Sequence, residues 1–227
     1  ARITGTRKLN RLAGHAFRSA RRHGKHLFVD ADGTWLHMHF GMSGDLAYYR
    51  DAAEEPRFAR VVFDFANGAH LAYEDMRLFG VVDLTSSPAV YVDEHQLGPD
   101  PLDPSFTLAR FREIVAGRRG AIKSLLMSQE VIAGIGNLYA DETLFQASIH
   151  PRRPADALRD DELRAIHTTM RKILREVIVR RERGGALPHR YLIAHRDEAE
   201  RCPKCGGTIR RTVVFGRTTY FCGKHQG

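Results

Sequence analysis

Over the first hundred residues, apolar positions come in short runs broken by turn dipeptides. Residues 25–29 lead through Asp32-Gly33 into residues 35–40, and residues 60–65 lead through Asn67-Gly68 into residues 69–73. Asp-Gly and Asn-Gly supply the positive φ that tight hairpin loops demand, so these runs predict paired antiparallel strands. Short strands with regular turns predict a β-sandwich or barrel over residues 1–96.

The period then changes. Residues 97–104 hold Pro99, Pro101 and Pro104. No helix or central strand tolerates that density, so the stretch reads as a linker. Beyond it, Leu108, Phe111, Ile114 and Val115 fall on one helical face, with Ser105 as a candidate cap. Residues 120–129, 137–148 and 160–181 predict three further helices. The expected fold class is α+β in two domains: an N-terminal β-sandwich, then a helical domain over residues 105–196. Residues 197–227 form a cysteine-bearing module of their own.

Composition sharpens the picture in one respect. Lys and Arg outnumber Asp and Glu by 35 to 27, a net charge of +8. Such a surplus suits a polyanion, because each neutralised phosphate releases condensed counterions. No run of eighteen apolar residues is present, so no membrane span is expected. Nor does a basic start lead into an apolar core as in a secretory signal, so the expected setting is the cytoplasm, at a bacterial nucleoid, or a nucleus.

All three cysteines lie beyond residue 200. Cys202-Pro203-Lys204-Cys205 precedes two glycines, and Cys222-Gly223-Lys224-His225 repeats the spacing with histidine in the fourth place. Two such knuckles aim four ligands inward, and Cys₃His is a closed, structural zinc set. The strands between, residues 208–215 and 218–221, alternate like a hairpin turning at Gly216. The plainer alternative is three free thiols and a surface histidine.

Gly134-Ile135-Gly136-Asn137 opens a predicted helix. It could present amides to a phosphate, or simply pack a turn. Its surroundings carry more. From Gly120 to Phe145 the chain resembles, over about twenty-five positions, the helix–two-turns–helix motif of the formamidopyrimidine-DNA glycosylase/endonuclease VIII family. That resemblance implies that Lys123 and Asn137 hold DNA phosphates and that Glu142, facing into the helix pair, is structural. Arg21-Arg22-His23-Gly24-Lys25 is similar to the family's basic strand, with Lys25 on the phosphates around a lesion. His39-Phe40-Gly41-Met42-Ser43-Gly44 is similar to a family loop whose methionine fills the hole left by an everted base, and His39 is assigned to the DNA-binding set with it. Asp75-Met76-Arg77-Leu78-Phe79-Gly80 resembles the segment that supplies the other two wedges. Met42, Arg77 and Phe79 are therefore the implied intercalating set, as base eversion requires. By composition alone Met42 would read as core. Arg217, otherwise a solvated hairpin-tip charge, matches the family's phosphate-gripping arginine.

The resemblance also implies double-stranded DNA with a damaged base or abasic site as partner, one zinc ion, and a monomer. Lys25, Lys123, Asn137 and Arg217 are expected to reach DNA lying between the two domains. Family catalysis uses an N-terminal proline followed by glutamate, for glycosylase and AP lyase (β/δ-elimination) chemistry. Here the chain starts Ala1-Arg2-Ile3-Thr4, similar to a strand downstream of that pair. No nucleophile is assigned. A leading segment removed from these residues, a paralogue that binds damage without cutting, and the Ala1 amine acting in place of proline are the three readings. The short stretch from Gly185 to Leu192, where purine-specific members carry a long lesion-capping loop, and His195-Arg196-Asp197 lean toward oxidised pyrimidines. A zinc-ribbon nucleic-acid-binding module without activity is the alternative from another class.

Overall fold

The computed structural model describes the backbone of Ile3 and Thr4 and all of residues 7–227. The Ala1 amine lies outside the described residues. The chain divides into two compact units, Ala1–Gln96 and Leu97–Gly227.

The first unit stacks two four-stranded antiparallel sheets. Its strands are β1 (Ile3–Thr4), β2 (Phe17–His23), β3 (His26–Ala31), β4 (Thr34–His39), β5 (Gly44–Tyr49), β6 (Ala59–Asp64), β7 (His70–Asp75) and β8 (Val81–Thr85). One sheet runs β1-β6-β7-β5 and the other β2-β3-β4-β8. Leu36 and Met38 of β4 meet Val61 and Phe63 of β6 and Tyr73 of β7 in a single core. Alternation along β4 puts His37 on the opposite face of its sheet. There the helix α1 (Pro88–Glu94) covers it, with the His37 and Tyr91 rings 4.0 Å apart. Sequence periodicity missed α1, although Ser87-Pro88 signals it: Ser87 Oγ accepts from Val90 N at 3.2 Å, and proline suits the first helical position. Asp32 (φ 52°) and Gly33 (φ 91°) form the expected two-residue turn between β3 and β4.

The second unit holds α2 (Leu108–Val115), α3 (Ile122–Met127), α4 (Asn137–Ala147) and α5 (Asp160–Glu182), then the hairpin β9 (Ile209–Val214) and β10 (Arg217–Cys222). Thr107, not Ser105, caps α2, accepting from Arg110 N at 3.2 Å. Ser105 is unsuited because its hydroxyl already donates to Asp103 Oδ1 at 2.6 Å. α5 buries Ile166, Met170, Ile173 and Val177, one stripe at helical spacing. Its first turn is acidic (Asp160, Asp161, Glu162) and its last basic (Arg180, Arg181), as the helix dipole favours. Residues 97–104, read as a linker, are packed inside this unit. Gly98 N donates to Gln129 O at 2.8 Å, and Arg171 donates to the carbonyls of Pro101, Asp103 and Phe106. One guanidinium satisfies the carbonyls that the proline-rich backbone cannot place in a ladder.

The histidine stack under α1 is expected to make the first unit acid-sensitive. His26 Nδ1 and His37 Nε2 lie 2.9 Å apart. Burial, with neighbouring imidazoles adding to it, pulls His26 from the usual 6.5 to about 3 and His37 to about 4. A depressed folded pKa favours the neutral form, so this contribution is present above pH 6.5 and lost as pH falls through about 4 towards about 3. Thermal melting of the protein should show a declining midpoint across that window. A His26→Phe/His37→Phe double variant should flatten the decline, and an unchanged slope would show that the stack does not carry it.

Candidate nucleic-acid interface and metal centre

In the first unit one buried carboxylate organises two loops. Asp75, at the end of β7, is 1% exposed. Its Oδ1 accepts from Ser43 Oγ at 2.6 Å and Arg77 N at 3.1 Å, and its Oδ2 accepts from Gly80 N at 2.7 Å. The Ser43 hydroxyl, with the Gly80 and Arg77 amides behind it, holds the Asp75 carboxyl below the usual carboxylate range. Arg77 N also donates to Ser43 Oγ at 3.2 Å. The loop after β4 thus lies against the loop after β7. The approach is close enough that a Cβ on Gly41, at φ 57°, would stand 2.6 Å from the Phe79 carbonyl carbon. This pairing brings the three sequence-predicted wedge residues together on exposed backbone. Met42 is 67% and Phe79 56% exposed, and the Arg77 guanidinium lies 5.3 Å from the Phe79 ring centroid. Met42 is therefore not core. Asp75 and Ser43 were not singled out from the sequence; the available signal was their place inside the two matched segments.

Lys25 is exposed and sits in the two-residue turn between β2 and β3, beside Gly24 at φ 57°, rather than within a strand. His39 Nδ1 accepts from Gly41 N at 3.1 Å, which leaves the ring proton on Nε2. Burial, and then the Lys25 charge, pull its pKa down.

In the second unit, α3 and α4 with the turns over residues 128–136 form the helix–two-turns–helix. Gln129 folds those turns: its Oε1 accepts from Gly134 N at 2.9 Å, and its Nε2 donates to Met127 O and Ile135 O. Asn137 opens α4 and donates to Thr218 O at 3.0 Å, while its buried Oδ1 has no partner among the described residues. Lys123 differs from expectation. It is wholly buried, with Nζ 2.7 Å from Asp141 Oδ1 and 2.5 Å from Thr219 Oγ1. Burial pulls this ammonium's pKa down and Asp141 pushes it back. An ammonium enclosed in this way presents no face to a phosphate, so Lys123 positions the hairpin instead. Asp141 Oδ2 also accepts from Arg196 at 2.6 Å and from Tyr220 N at 3.1 Å. Arg217 is exposed at the start of β10.

Glu142 is structural. Fully buried, it accepts from Gln146 Nε2 and Ile193 N, and burial pushes it up to about 7. His195 and Arg196 are also committed inside the fold, His195 to Glu200 and the His189 carbonyl, Arg196 to Asp141.

Cys202, Cys205, Cys222 and His225 place their ligand atoms within 4.8 Å of one another. Cys205 and Cys222 Sγ are 3.5 Å apart, well beyond a disulfide bond. His225 Nε2 donates to Phe145 O at 3.2 Å, turning Nδ1 toward the thiols. The amides of Lys204 and Lys224 point at Cys202 and Cys222 Sγ, each at 3.4 Å. Three thiols and one imidazole with all second contacts satisfied fit one structural zinc ion.

Sandwich, helix–two-turns–helix and zinc hairpin together are the domain make-up of a DNA-repair glycosylase family. Residues 2–82 match the formamidopyrimidine-DNA glycosylase N-terminal domain, 97–187 its H2TH domain, and 199–224 a zinc finger found in that enzyme and in isoleucyl-tRNA synthetase. The formamidopyrimidine-DNA glycosylase of Roseiflexus sp. is 36% identical over 95% of this chain and 83% of its own length. Two Lactococcus lactis formamidopyrimidine-DNA glycosylase crystal structures are close neighbours. One, bound to DNA with an AP site, has a TM-score of 0.82 at 26% identity, covering 99% of this chain and 90% of that one. The other, with DNA containing FAPY-dG, has a TM-score of 0.84 at 27% identity, covering 99% and 91%. The chain belongs to the formamidopyrimidine-DNA glycosylase/endonuclease VIII family.

Asp75→Asn keeps the shape but leaves one acceptor oxygen where two are needed. It should cost about 2–3 kcal/mol in urea unfolding; a loss within about 0.5 kcal/mol would show that the carboxylate does not hold the loops. Metal analysis should give one zinc per chain, and Cys205→Ala should lose it and unfold the hairpin, because binding energy is folding energy in so small a module. Full zinc retention in that variant would sink the ligand assignment.

Proposed function

We propose that this protein is a bifunctional base-excision enzyme, removing oxidised bases from duplex DNA and opening abasic sites by AP lyase chemistry. The observation that carries the reading is the loop pair held by Asp75 and Ser43, which keeps Met42, Arg77 and Phe79 exposed side by side. A protein that only binds intact DNA needs no such wedge. An enzyme that everts a base must unstack it and fill the vacancy with apolar or planar groups. Lys25, Asn137 and Arg217 are the phosphate contacts in this reading, His39 belongs to the DNA-binding set beside the wedge, and Lys123 fixes the distance between Asn137 and the hairpin. The zinc-ribbon alternative leaves the wedge without a purpose.

Ring-opened purines and abasic sites are the proposed substrates, supported by relatives named for formamidopyrimidine lesions and by the AP-site and FAPY-dG complexes of the neighbours. His195 and Arg196, which leaned toward pyrimidines in the sequence, are hydrogen-bonded within the fold, which lessens the weight of that lean. A pyrimidine preference is the second reading, favoured by the short connection between α5 and the turn Leu192–His195. Bacterial relatives support action at the nucleoid. Among the described residues no helix is long and apolar enough to cross a membrane.

Affinity for an abasic-site duplex should exceed that for the intact duplex by at least about tenfold, as a wedge that needs a vacancy requires. Equal affinities would leave only a plain binding module. Competition between duplexes bearing a formamidopyrimidine and an oxidised pyrimidine decides between the two substrate readings. Borohydride trapping on the abasic duplex tests the lyase step. A longer form that carries the family's N-terminal proline should give an adduct through it and the 227-residue chain none, whereas an adduct from the 227-residue chain, mapped to Ala1 or an internal lysine, overturns that assignment.

A further inference from the structure

The tip of the zinc hairpin carries a residue that its turn disfavours. Val214 and Arg217 pair across β9 and β10, leaving Phe215 and Gly216 as a two-residue loop. Both stand at positive φ, 49° and 68°. Loops of this type take Asn, Asp or Gly at the first position, because a larger side chain there crowds the following carbonyl. Phe215 instead puts an aromatic ring at that position, 77% exposed, more than any other large apolar side chain among the described residues. It packs in no core, so burial does not offset the strain.

The base beneath that ring is well braced. The zinc ligands gather at the far ends of both strands, and Arg152 donates to Thr212 Oγ1 at 2.6 Å and to Val213 O at 3.1 Å. Residues 201–227 include six Lys and Arg and no Asp or Glu. Val213, 56% exposed, lies two positions before the ring and Arg217 two positions after it. An apolar tip in a wholly cationic module matches a surface with anions outside and apolar faces within reach. A nucleic-acid groove is such a surface: phosphates flank deoxyribose and base faces, and aromatic side chains pack on those without reading sequence.

We propose that Phe215 is a DNA-contacting residue, its ring packed on the sugar and base surface beside the phosphates that Arg217 holds. The inference rests on the reading of this chain as a damaged-DNA-binding protein and adds to it an uncharged contact. Arginine contacts slide along a polyanion, and a ring seated in the groove fixes their register. An uncharged contact releases no counterion, so it contributes affinity without salt dependence, unlike Arg217.

Phe215→Asn, Phe215→Trp and Arg217→Ala, each in the zinc-loaded 227-residue chain, separate the possibilities by titration with an abasic-site duplex at several salt concentrations. Asparagine suits the left-handed loop, so Phe215→Asn should keep its zinc and melt at the same or a higher temperature. It should nevertheless bind about tenfold or more weakly, with an unchanged salt slope. Phe215→Trp should bind like the parent. Arg217→Ala should bind more weakly and lower the salt slope by about one. Binding by Phe215→Asn within about twofold of the parent, alongside a weakened Arg217→Ala, would overturn the role of Phe215 and leave the damaged-DNA reading standing. A lower melting temperature or lost zinc in Phe215→Asn would assign the ring to the hairpin's own fold and overturn the proposal. A parent chain that does not distinguish abasic from intact duplex would remove the reading beneath it.

Discussion

The buried ion pair between Lys123 and Asp141 is the constraint on which the second unit's working surface depends. Both side chains are fully shielded from solvent. Burying two charges costs several kcal/mol per ion unless every remaining donor and acceptor is satisfied. Here they are met by Thr219, Arg196 and the Tyr220 amide. The pair joins α3 to α4, and its partners join both helices to β10 and to the segment before the zinc knuckles. Truncating one partner would strand the other, at about 3–5 kcal/mol, so the geometry between Asn137 and the hairpin is held firmly. A positive residue that looked like a phosphate ligand is thus the strut that fixes Asn137 against the hairpin.

The first unit uses the same arrangement on a smaller scale. Asp75 is buried and Met42, Leu78 and Phe79 are exposed, the reverse of ordinary partitioning. The inversion holds because a carboxylate satisfied by a hydroxyl and backbone amides is cheap to bury. The exposed apolar side chains stay out because the loop backbones beneath them are tied down. Leu78 at φ 57° and Gly41 at φ 57° show how far those loops depart from strand geometry.

The zinc module extends this logic to a segment too small for a core of its own. Cys202, Cys222 and Ile209 pack with Leu192 and Phe145 of the helical unit, and His225 donates to the Phe145 carbonyl. Docking and metal ligation therefore share residues. The hairpin's far end is left free of packing duties, which is where Phe215 and Arg217 stand.

Much of this was legible in the chain itself, for local reasons. The alternation of strands, the stripe of α5, the Asp32-Gly33 turn and the two metal knuckles all depend on spacings of a few residues. The two loops that carry Met42, Arg77 and Phe79 were legible through contiguous motifs, and those side chains are exposed. Other features needed distant partners. Lys123 has the same composition and spacing whether it faces a phosphate or Asp141, eighteen positions on. Its enclosure by Thr219 of the hairpin is a contact across 96 residues. Asp75 and Ser43 meet across 32 positions, so nothing local marks either as a hub. The proline-rich stretch at 97–104 read as a linker because Arg171, which binds its carbonyls, lies some 70 residues away. Sequence determined most of the elements and the four zinc ligands, because periodicity, turn chemistry and ligand spacing act over one or two turns of chain. Tertiary structure decided which charges face solvent and which are spent inside, because desolvation is set by whatever the fold brings alongside.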